Sequence, residues 1–240
     1  MSRRDVNRFR LRPGEVVGGK YVVVGLLGRG WEGEVYRVRE RGTGVERAAK
    51  FFFPKRNLRN SALRFYARKL HKLRNCPLLI QYHAQEETEW RGTRVRFLVS
   101  DLVEGEILSR FLRRQRGKRL GVFEGLHLLH RLAEGVEIIH SLKEYHGDLH
   151  LDNIIVKRRG IYFDVKLVDM FYWGAPSAER IRDDVCDLVR IFYDVTGGAA
   201  RYASQPAAMK RICCGLKRGL ITRKFRTAGH LRRYIETMSW

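Results

Sequence analysis

The residues best suited to chemistry in this chain fall within His146-Gly147-Asp148-Leu149-His150-Leu151-Asp152-Asn153-Ile154-Ile155-Val156. Asp148 supplies a carboxylate, and Asn153, five residues later and just before an apolar run, supplies an amide. A carboxylate can accept the proton of a hydroxyl, and an amide oxygen suits a hard cation such as Mg2+. Val165-Lys166-Leu167-Val168-Asp169 then brings a second carboxylate at the end of another apolar run. Phosphoryl transfer asks little covalent chemistry of a protein, but it needs an oriented hydroxyl and a divalent metal on the phosphates. Either Asp alone would read as a turn residue or a helix cap. Together, in this order, an acid and two oxygen ligands describe a magnesium-dependent phosphotransfer site.

A second group lies near the start. Gly28-Arg29-Gly30-Trp31-Glu32-Gly33-Glu34-Val35 sits between two strand-like runs with no helix after it, which argues against a dinucleotide-binding turn. Glycines on a hairpin let the backbone approach phosphates closely, since no Cβ intrudes. One strand later comes Ala48-Ala49-Lys50, followed by Phe51-Phe52-Phe53. A lysine on so apolar a strand is expected to point into a cleft, where it can pair with nucleotide phosphates, although alone it would read as an ordinary surface cation.

The elements that must position these groups fall into two regimes. Residues 15–102 hold β-type runs at 21–27, 34–39, 48–53 and 95–99, rich in Val, Phe and Tyr. One helix interrupts them, with Asn60 or Ser61 as its cap and Leu63, Tyr66, Ala67, Leu70 and Leu73 on one face. Arg64, Arg68 and Lys72 lie on the other face. From about residue 106 the pattern turns helical. Leu126, Leu129, Leu132, Ala133, Val136 and Ile139 trace one apolar face, and Val185, Leu188, Val189, Phe192 and Val195 another. Short β-type runs at 153–156 and 165–168 lie between them. The expected fold class is α+β, two-lobed: a 1–14 extension, a β-rich lobe over 15–102 and a reduced helical lobe over 103–240.

Composition bounds the rest. The 240 residues are 44% hydrophobic and 11% aromatic, which is globular rather than disordered. No run approaches the ~20 apolar residues of a membrane span, and the N-terminus lacks the apolar stretch of a secretory signal. Cys76, Cys186, Cys213 and Cys214 have no metal-binding spacing and read as free thiols of a reducing, cytoplasmic compartment. The net charge is +22. Residues 47–85 and 195–235 contain no acid and ten Lys or Arg each, and a shorter basic run spans 110–119. Such fields attract polyanions, whether nucleic acid or an acidic surface. Trp31, Trp90, Trp173 and Trp240 could stack bases there, although core or loop packing is the plainer reading.

With these motifs in hand, the chain resembles the protein-kinase superfamily along nearly its whole length. LGRGWEGEV is similar to the glycine-rich loop, and AAK to the strand bearing the phosphate-pairing lysine. FLVSDLVEGEIL resembles the hinge, with Ser100 at the gatekeeper position and Asp101 and Val103 offering backbone groups to adenine. HGDLHLDN resembles the catalytic loop of aminoglycoside-phosphotransferase-like and atypical protein kinases, with His150 where ordinary protein kinases carry lysine. The resemblance implies Asp148 as the catalytic carboxylate, assisted by Lys50 and His150. It implies Asn153 and Asp169 as Mg2+ ligands, and Gly28, Gly30, Gly33, Val35, Ala48, Lys50, Asp101, Val103 and Ile155 around ATP. RDDVCDLVRIFYDVTGG is similar to the central helix of the large lobe, with Asp184 bracing the catalytic loop. Phe225-Arg226-Thr227-Ala228 resembles the opening of the closing helix.

The departures are informative. The helix over 60–73 carries no glutamate for Lys50, leaving Glu32 or Glu34 as its candidate acid. Gly147 replaces the arginine that usually precedes the catalytic Asp, so activation by loop phosphorylation is not expected. The metal motif reads Asp169-Met170-Phe171, only fourteen residues separate Asp169 from Asp184, and no Ala-Pro-Glu element follows. This describes a minimal kinase. The expected function is ATP- and Mg-dependent transfer of the γ-phosphate to a hydroxyl, by an atypical protein Ser/Thr kinase. Two alternatives stay open: a kinase of a small molecule or lipid-linked sugar, and a pseudokinase acting as a basic, polyanion-binding or scaffolding module.

Overall fold

The computed structural model describes residues 6–160 and 162–239. The first five residues of the 1–14 extension and Trp240 lie outside that range. The chain divides into two compact units. One runs to Arg74 and adds Ile80–Val103; the other comprises Asn75–Leu79 and everything from Glu104 onward.

The first unit is an antiparallel sheet of β1 (Val16–Val17), β2 (Tyr21–Arg29), β3 (Gly33–Glu40) and β4 (Glu46–Phe52), helix α1 (Ser61–Lys72), then β5 (Tyr82–Trp90) and β6 (Thr93–Asp101). The strand order is β1-β2-β3-β4-β6-β5. Strand periodicity explains the triple phenylalanine, because successive side chains face opposite sides. Phe51 and Phe53 join Val23, Tyr36, Val38, Phe97 and Val99 in one buried cluster. Phe52 faces the other way and packs with Leu63, Tyr66 and Leu98. Strand β5 escapes sequence reading because Gln85, Glu86, Glu87 and Glu89 break any apolar alternation. It is an edge strand, where charge discourages pairing with another chain.

The segment before β1 belongs to this core. Phe9 is buried, stacks on Phe53 with ring centroids 5.4 Å apart, and meets Trp90 edge-on at 5.4 Å. Its N–H donates to Glu34 Oε2 at 3.0 Å. Helix α1 buries Leu63, Tyr66 and Leu70 and leaves Arg64, Arg68 and Lys72 exposed. It starts where expected, with Asn60 at the N-cap position and Ser61 as its first residue, but no side-chain cap bond comes from either. Asn60 is left-handed at φ +59°, and the Asn57 Oδ1 accepts the Leu63 N–H at 3.2 Å.

The second unit contains β7 (Glu106–Ile107), α2 (Leu108–Arg114), α3 (Val122–Ser141), β8 (Ile154–Arg159) and β9 (Tyr162–Leu167). The helices α4 (Ala178–Val195), α5 (Gly198–Tyr202), α6 (Ala207–Cys213), α7 (Arg218–Lys224) and α8 (Ala228–Thr237) follow. The strands pair in the order β7-β8-β9. The two expected apolar faces are buried, on α3 and α4 respectively. Asn153 belongs to a short 3-10 turn rather than to β8, and Val168 lies beyond β9. Leu78 packs so tightly on α3 that a Cβ at Gly135 would come within 2.4 Å of it, and the Leu78 carbonyl accepts the Leu167 N–H at 2.7 Å. Ser177 caps α4 and Thr227 caps α8 through their side chains. Among the described residues no helix is long and apolar enough to cross a membrane, and the four cysteines are free.

Candidate active site

The candidate residues divide between the units: Gly28, Gly30, Gly33, Val35, Ala48, Lys50, Asp101 and Val103 in the first, Asp148, His150, Asn153, Ile155 and Asp169 in the second.

In the first unit, register sets the face. Residues directly opposite across paired strands project to the same side. Gly28, Val35, Lys50 and Leu98 form one rung, and Arg37, Ala48 and Ser100 another. Val35, Ala48, Lys50 and Ser100 therefore share one face, opposite to Phe51 and Tyr36. The glycines serve two purposes. A Cβ at Gly33 would lie 1.9 Å from the Phe51 carbonyl oxygen, so packing against β4 demands glycine there. At Gly28 and Gly30 a Cβ would meet nothing within 4 Å, so their bare backbone is open to a ligand. The turn is closed by Gly30 N–H donating to the Gly33 carbonyl at 2.9 Å. Trp31 is exposed at its tip, with the Arg56 guanidinium 3.8 Å above its ring.

Lys50 finds its acid in the turn. Its Nζ lies 3.2 Å from Glu32 Oε2, and the two side chains are only 16% and 17% exposed. Tyr66 donates its hydroxyl to the same oxygen at 2.8 Å. The Lys50 ammonium also sits 4.0 Å from the centroid of the Tyr66 ring, a cation–π distance. Glu34, the other candidate, faces the opposite side, where it accepts from the Phe9 N–H and from the Tyr36 hydroxyl at 2.6 Å. Burial, then the bond to Glu34, raises the Tyr36 hydroxyl above its ordinary range. At the end of β6, the Asp101 N–H is committed to the Gln81 carbonyl at 3.0 Å, and its carboxylate meets Arg47 and His83. Its own carbonyl is the group it can offer to a base; Val103 follows in irregular backbone.

In the second unit, Asp184 of α4 organises the loop. It is fully buried and accepts from the His146 N–H at 2.7 Å and the Gly147 N–H at 2.9 Å, with His140 Nε2 3.1 Å away. Gly147 has φ +84°, and a Cβ there would fall 2.8 Å from the Tyr145 ring and 2.9 Å from the Phe171 carbonyl oxygen. A side chain at that position would be strained and crowded, so the backbone here favours the glycine. Asp148 is half-exposed and anchored by Asn153, whose Nδ2 donates to the Asp148 carbonyl at 2.9 Å and to Oδ2 at 2.8 Å. His150 Nδ1 accepts from the Asp152 N–H at 3.2 Å, which leaves the proton on Nε2, itself 3.5 Å from Asp148 Oδ2. Ile155 lies on β8, opposite Ile107 and Lys166.

Asp169 sits at φ +55°, in a turn held at both ends by the same loop. Val168 N–H donates to the Asn153 carbonyl at 3.0 Å, and Phe171 N–H to the His146 carbonyl at 3.0 Å. These links place the backbone on either side of Asp169 against the loop that carries Asn153. Because both amide hydrogens of Asn153 go to Asp148, its Oδ1 is directed elsewhere. An amide oxygen with a carboxylate is a hard donor pair that fits Mg2+. Among the described residues no group of three or more His, Cys, Asp or Glu is placed to hold a metal ion.

Three features escape sequence reading. Asp187 lies three residues after Asp184, on the same side of α4; burial first, then Asp184, Asp183 and Asp148, pushes its carboxyl up to about 7. The helical spacing of the two aspartates was the available signal. Tyr145 donates its hydroxyl to the Gly174 carbonyl and accepts from the Trp173 N–H, both at 2.8 Å. The Trp173 indole in turn donates to the Gly147 carbonyl at 2.7 Å. The short segment after Asp169 is thereby clasped by aromatics to the loop that carries Asp148, which no motif announces.

The protein kinase domain family matches residues 21–175. The chain is 31% identical over 153 residues to the putative cyclin-dependent kinase F-2 of Oryza sativa subsp. japonica, covering 62% of this chain and 46% of that protein. To CBL-interacting protein kinase 30 of the same plant it is 28% identical over 157 residues, covering 65% of this chain and 31% of the relative. The chain thus spans less than half the length of these curated relatives. Among solved structures, the kinase domain of Mycobacterium tuberculosis PknI matches at TM-score 0.66 and 21% identity, covering 94% of this chain and 98% of that one, a likeness of fold. With a β-sheet unit, a helical unit and a family match over most of its length, this chain belongs to the protein kinase domain family.

Proposed function

We propose that the chain is an ATP- and Mg2+-dependent protein Ser/Thr kinase, with 15–102 as its nucleotide-binding lobe and 103–240 as its catalytic lobe. The observation that carries this reading is the double hydrogen bond from Asn153 to Asp148 on a loop braced by buried Asp184. It holds one carboxylate in a fixed orientation and leaves an amide oxygen for a cation. Asp148 accepts the proton of the attacking hydroxyl. The hydroxyl oxygen bonds to the γ-phosphorus as the bond to the β–γ bridging oxygen breaks, and ADP departs. Asn153 and Asp169 would hold the Mg2+, which when bound offsets the negative charge of the phosphates.

Lys50 pairs with the nucleotide phosphates, beneath backbone offered by Gly28, Gly30 and Gly33. Val35 and Ala48 line the adenine site, and the backbone of Asp101 and Val103 meets its polar edge. His150 places its Nε2 proton near Asp148, where it can steer a phosphate oxygen. The clasp of Tyr145 and Trp173 supports activity without loop phosphorylation. Exposed Arg64, Arg68 and Lys72 on α1, and separately Lys217, Arg218, Arg223 and Lys224, support basic surfaces for a phosphate-rich partner. The four free thiols favour a cytoplasmic setting.

Transfer of labelled γ-phosphate to a mixture of hydroxyl-bearing proteins tests this reading. Wild type is expected to label an acceptor, and Asp148→Asn to lose ~10²-fold or more of that rate while still binding nucleotide. Equal transfer by the variant would overturn the assignment.

A further inference from the structure

Kinase-type use of Lys50 raises the question of what holds its ammonium in place, since α1 carries no acid from Ser61 to Lys72. Three residues answer it within the first unit. Tyr66, on the buried face of α1, directs its hydroxyl to Glu32 Oε2 at 2.8 Å, and that same oxygen lies 3.2 Å from Lys50 Nζ. The Tyr66 ring stands 4.0 Å from the ammonium, and Phe52 adds a second ring face at 5.4 Å. One helix residue therefore both seats the cation and orients its counter-ion. Glu32 is itself tethered, because its carbonyl accepts the Phe53 N–H at 2.8 Å at the end of β4. Both charged groups are more than four-fifths covered, so solvent screens their attraction weakly.

We propose that Glu32 is the positioning residue for Lys50 and that the Tyr66 hydroxyl holds Glu32 in place. The glycine-rich turn, rather than α1, then supplies the acid that sets the lysine. This rests on the reading of Lys50 as the phosphate-pairing lysine. It has a consequence for control. Where the acid sits on a helix, moving the helix assembles or breaks the pair. Here the acid lies between Gly30 and Gly33, on the element whose backbone is open to phosphates. Ligand binding at the turn and the setting of the lysine become one event. Glu34 cannot share the role, because it points to the other face and is engaged by Phe9 and Tyr36.

The test uses the full chain and reads Lys50 directly. An amine-acylating reagent is applied at fixed pH without nucleotide, and labelling of Lys50 is followed by peptide mass spectrometry. Binding of MgATP is measured in parallel. Glu32→Gln should speed Lys50 labelling by about 3-fold or more, since the lost carboxylate favours the charged, unreactive amine. Tyr66→Phe keeps the ring and should give a smaller rise, with faster hydrogen exchange in residues 30–33 but unchanged exchange in α1. Glu32→Asp should recover part of the wild-type protection. Glu34→Gln should leave Lys50 labelling unchanged. Unchanged labelling in Glu32→Gln, or an equal rise in Glu34→Gln, would overturn the proposal. If the labelling pattern holds while no form binds MgATP, the positioning pair stands and the phosphate-pairing reading of Lys50 falls.

Discussion

Asn153 gives both of its amide hydrogens to Asp148, one to the carbonyl and one to the carboxylate. A residue five positions away thus fixes the rotamer of the candidate base and at the same time turns its own oxygen outward. Asn153→Ala removes both effects. Turnover is expected to fall by ~10²-fold or more, whereas nucleotide affinity in a chelator should change by no more than about two-fold. A parallel kinetic and binding titration checks this; equal losses in the two would assign Asn153 to nucleotide binding alone.

Asp184 is a matter of stability before catalysis. It is fully buried and satisfies two backbone N–H groups and His140. Asp184→Asn places an NH2 against those donors and leaves at least one of them unmatched. The expected loss is about 3 kcal/mol, seen as a fall of roughly 6–12 °C in Tm for a chain of this size. A Tm within 2 °C of wild type would remove the bracing role.

Asp187 makes stability depend on pH. Its carboxyl is pushed up from an ordinary value of 3.8 to about 7, so the folded state holds a proton that the unfolded state has already released. Between those values stability falls as pH rises, and above pH 7 the loss is complete. Asp187→Asn removes the group, so its advantage over wild type should grow from pH 5 to pH 8. The growth should be roughly 2 kcal/mol, or about 4–8 °C in Tm. Melting curves of both proteins at the two pH values decide it; a constant difference would mean that Asp187 is ionised throughout.

How much of this could be read in advance follows from distance along the chain. The Asp148–Asn153 pair was legible because both partners lie within one eight-residue motif and the chemistry needs that spacing. The hairpin carrying Gly28, Gly30 and Gly33 was legible for the same reason. The partner of Lys50 was legible only as a choice between Glu32 and Glu34. Strand alternation sends Glu34 to the opposite face, but the rotamers of a glycine-rich turn do not show in composition. The union of Phe9 with Phe53, Trp90 and Glu34 joins residues far apart in sequence, and no local pattern encodes it. The start of α1 was legible, with Asn60 at the N-cap position and Ser61 as the first residue, but the side chain that accepts its N–H was not. The working acceptor, Asn57, lies earlier, across a left-handed residue.

The basic surfaces yield a salt test. If Arg64, Arg68 and the arginines of the C-terminal stretch track a phosphate backbone through six or more contacts, affinity for a polyanion should fall by ~10³-fold or more between 50 and 200 mM salt. Replacing Arg64 and Arg68 by Gln should flatten that slope by about two contacts' worth. Filter binding across a salt series reads both; affinity independent of salt would exclude a phosphate-backbone partner.

A nucleotide site completed by Mg2+ at Asn153 and Asp169 is open to test by thermal unfolding. Wild type and Asp169→Asn are melted with and without ATP and Mg2+. Ligand at about 100 times its Kd adds ~2.7 kcal/mol, or roughly 5–10 °C in Tm here. That rise is expected in wild type, is expected to depend on Mg2+, and is expected to be lost in Asp169→Asn. An equal rise in the variant would contradict the metal assignment, and no rise in either protein would contradict the nucleotide site itself.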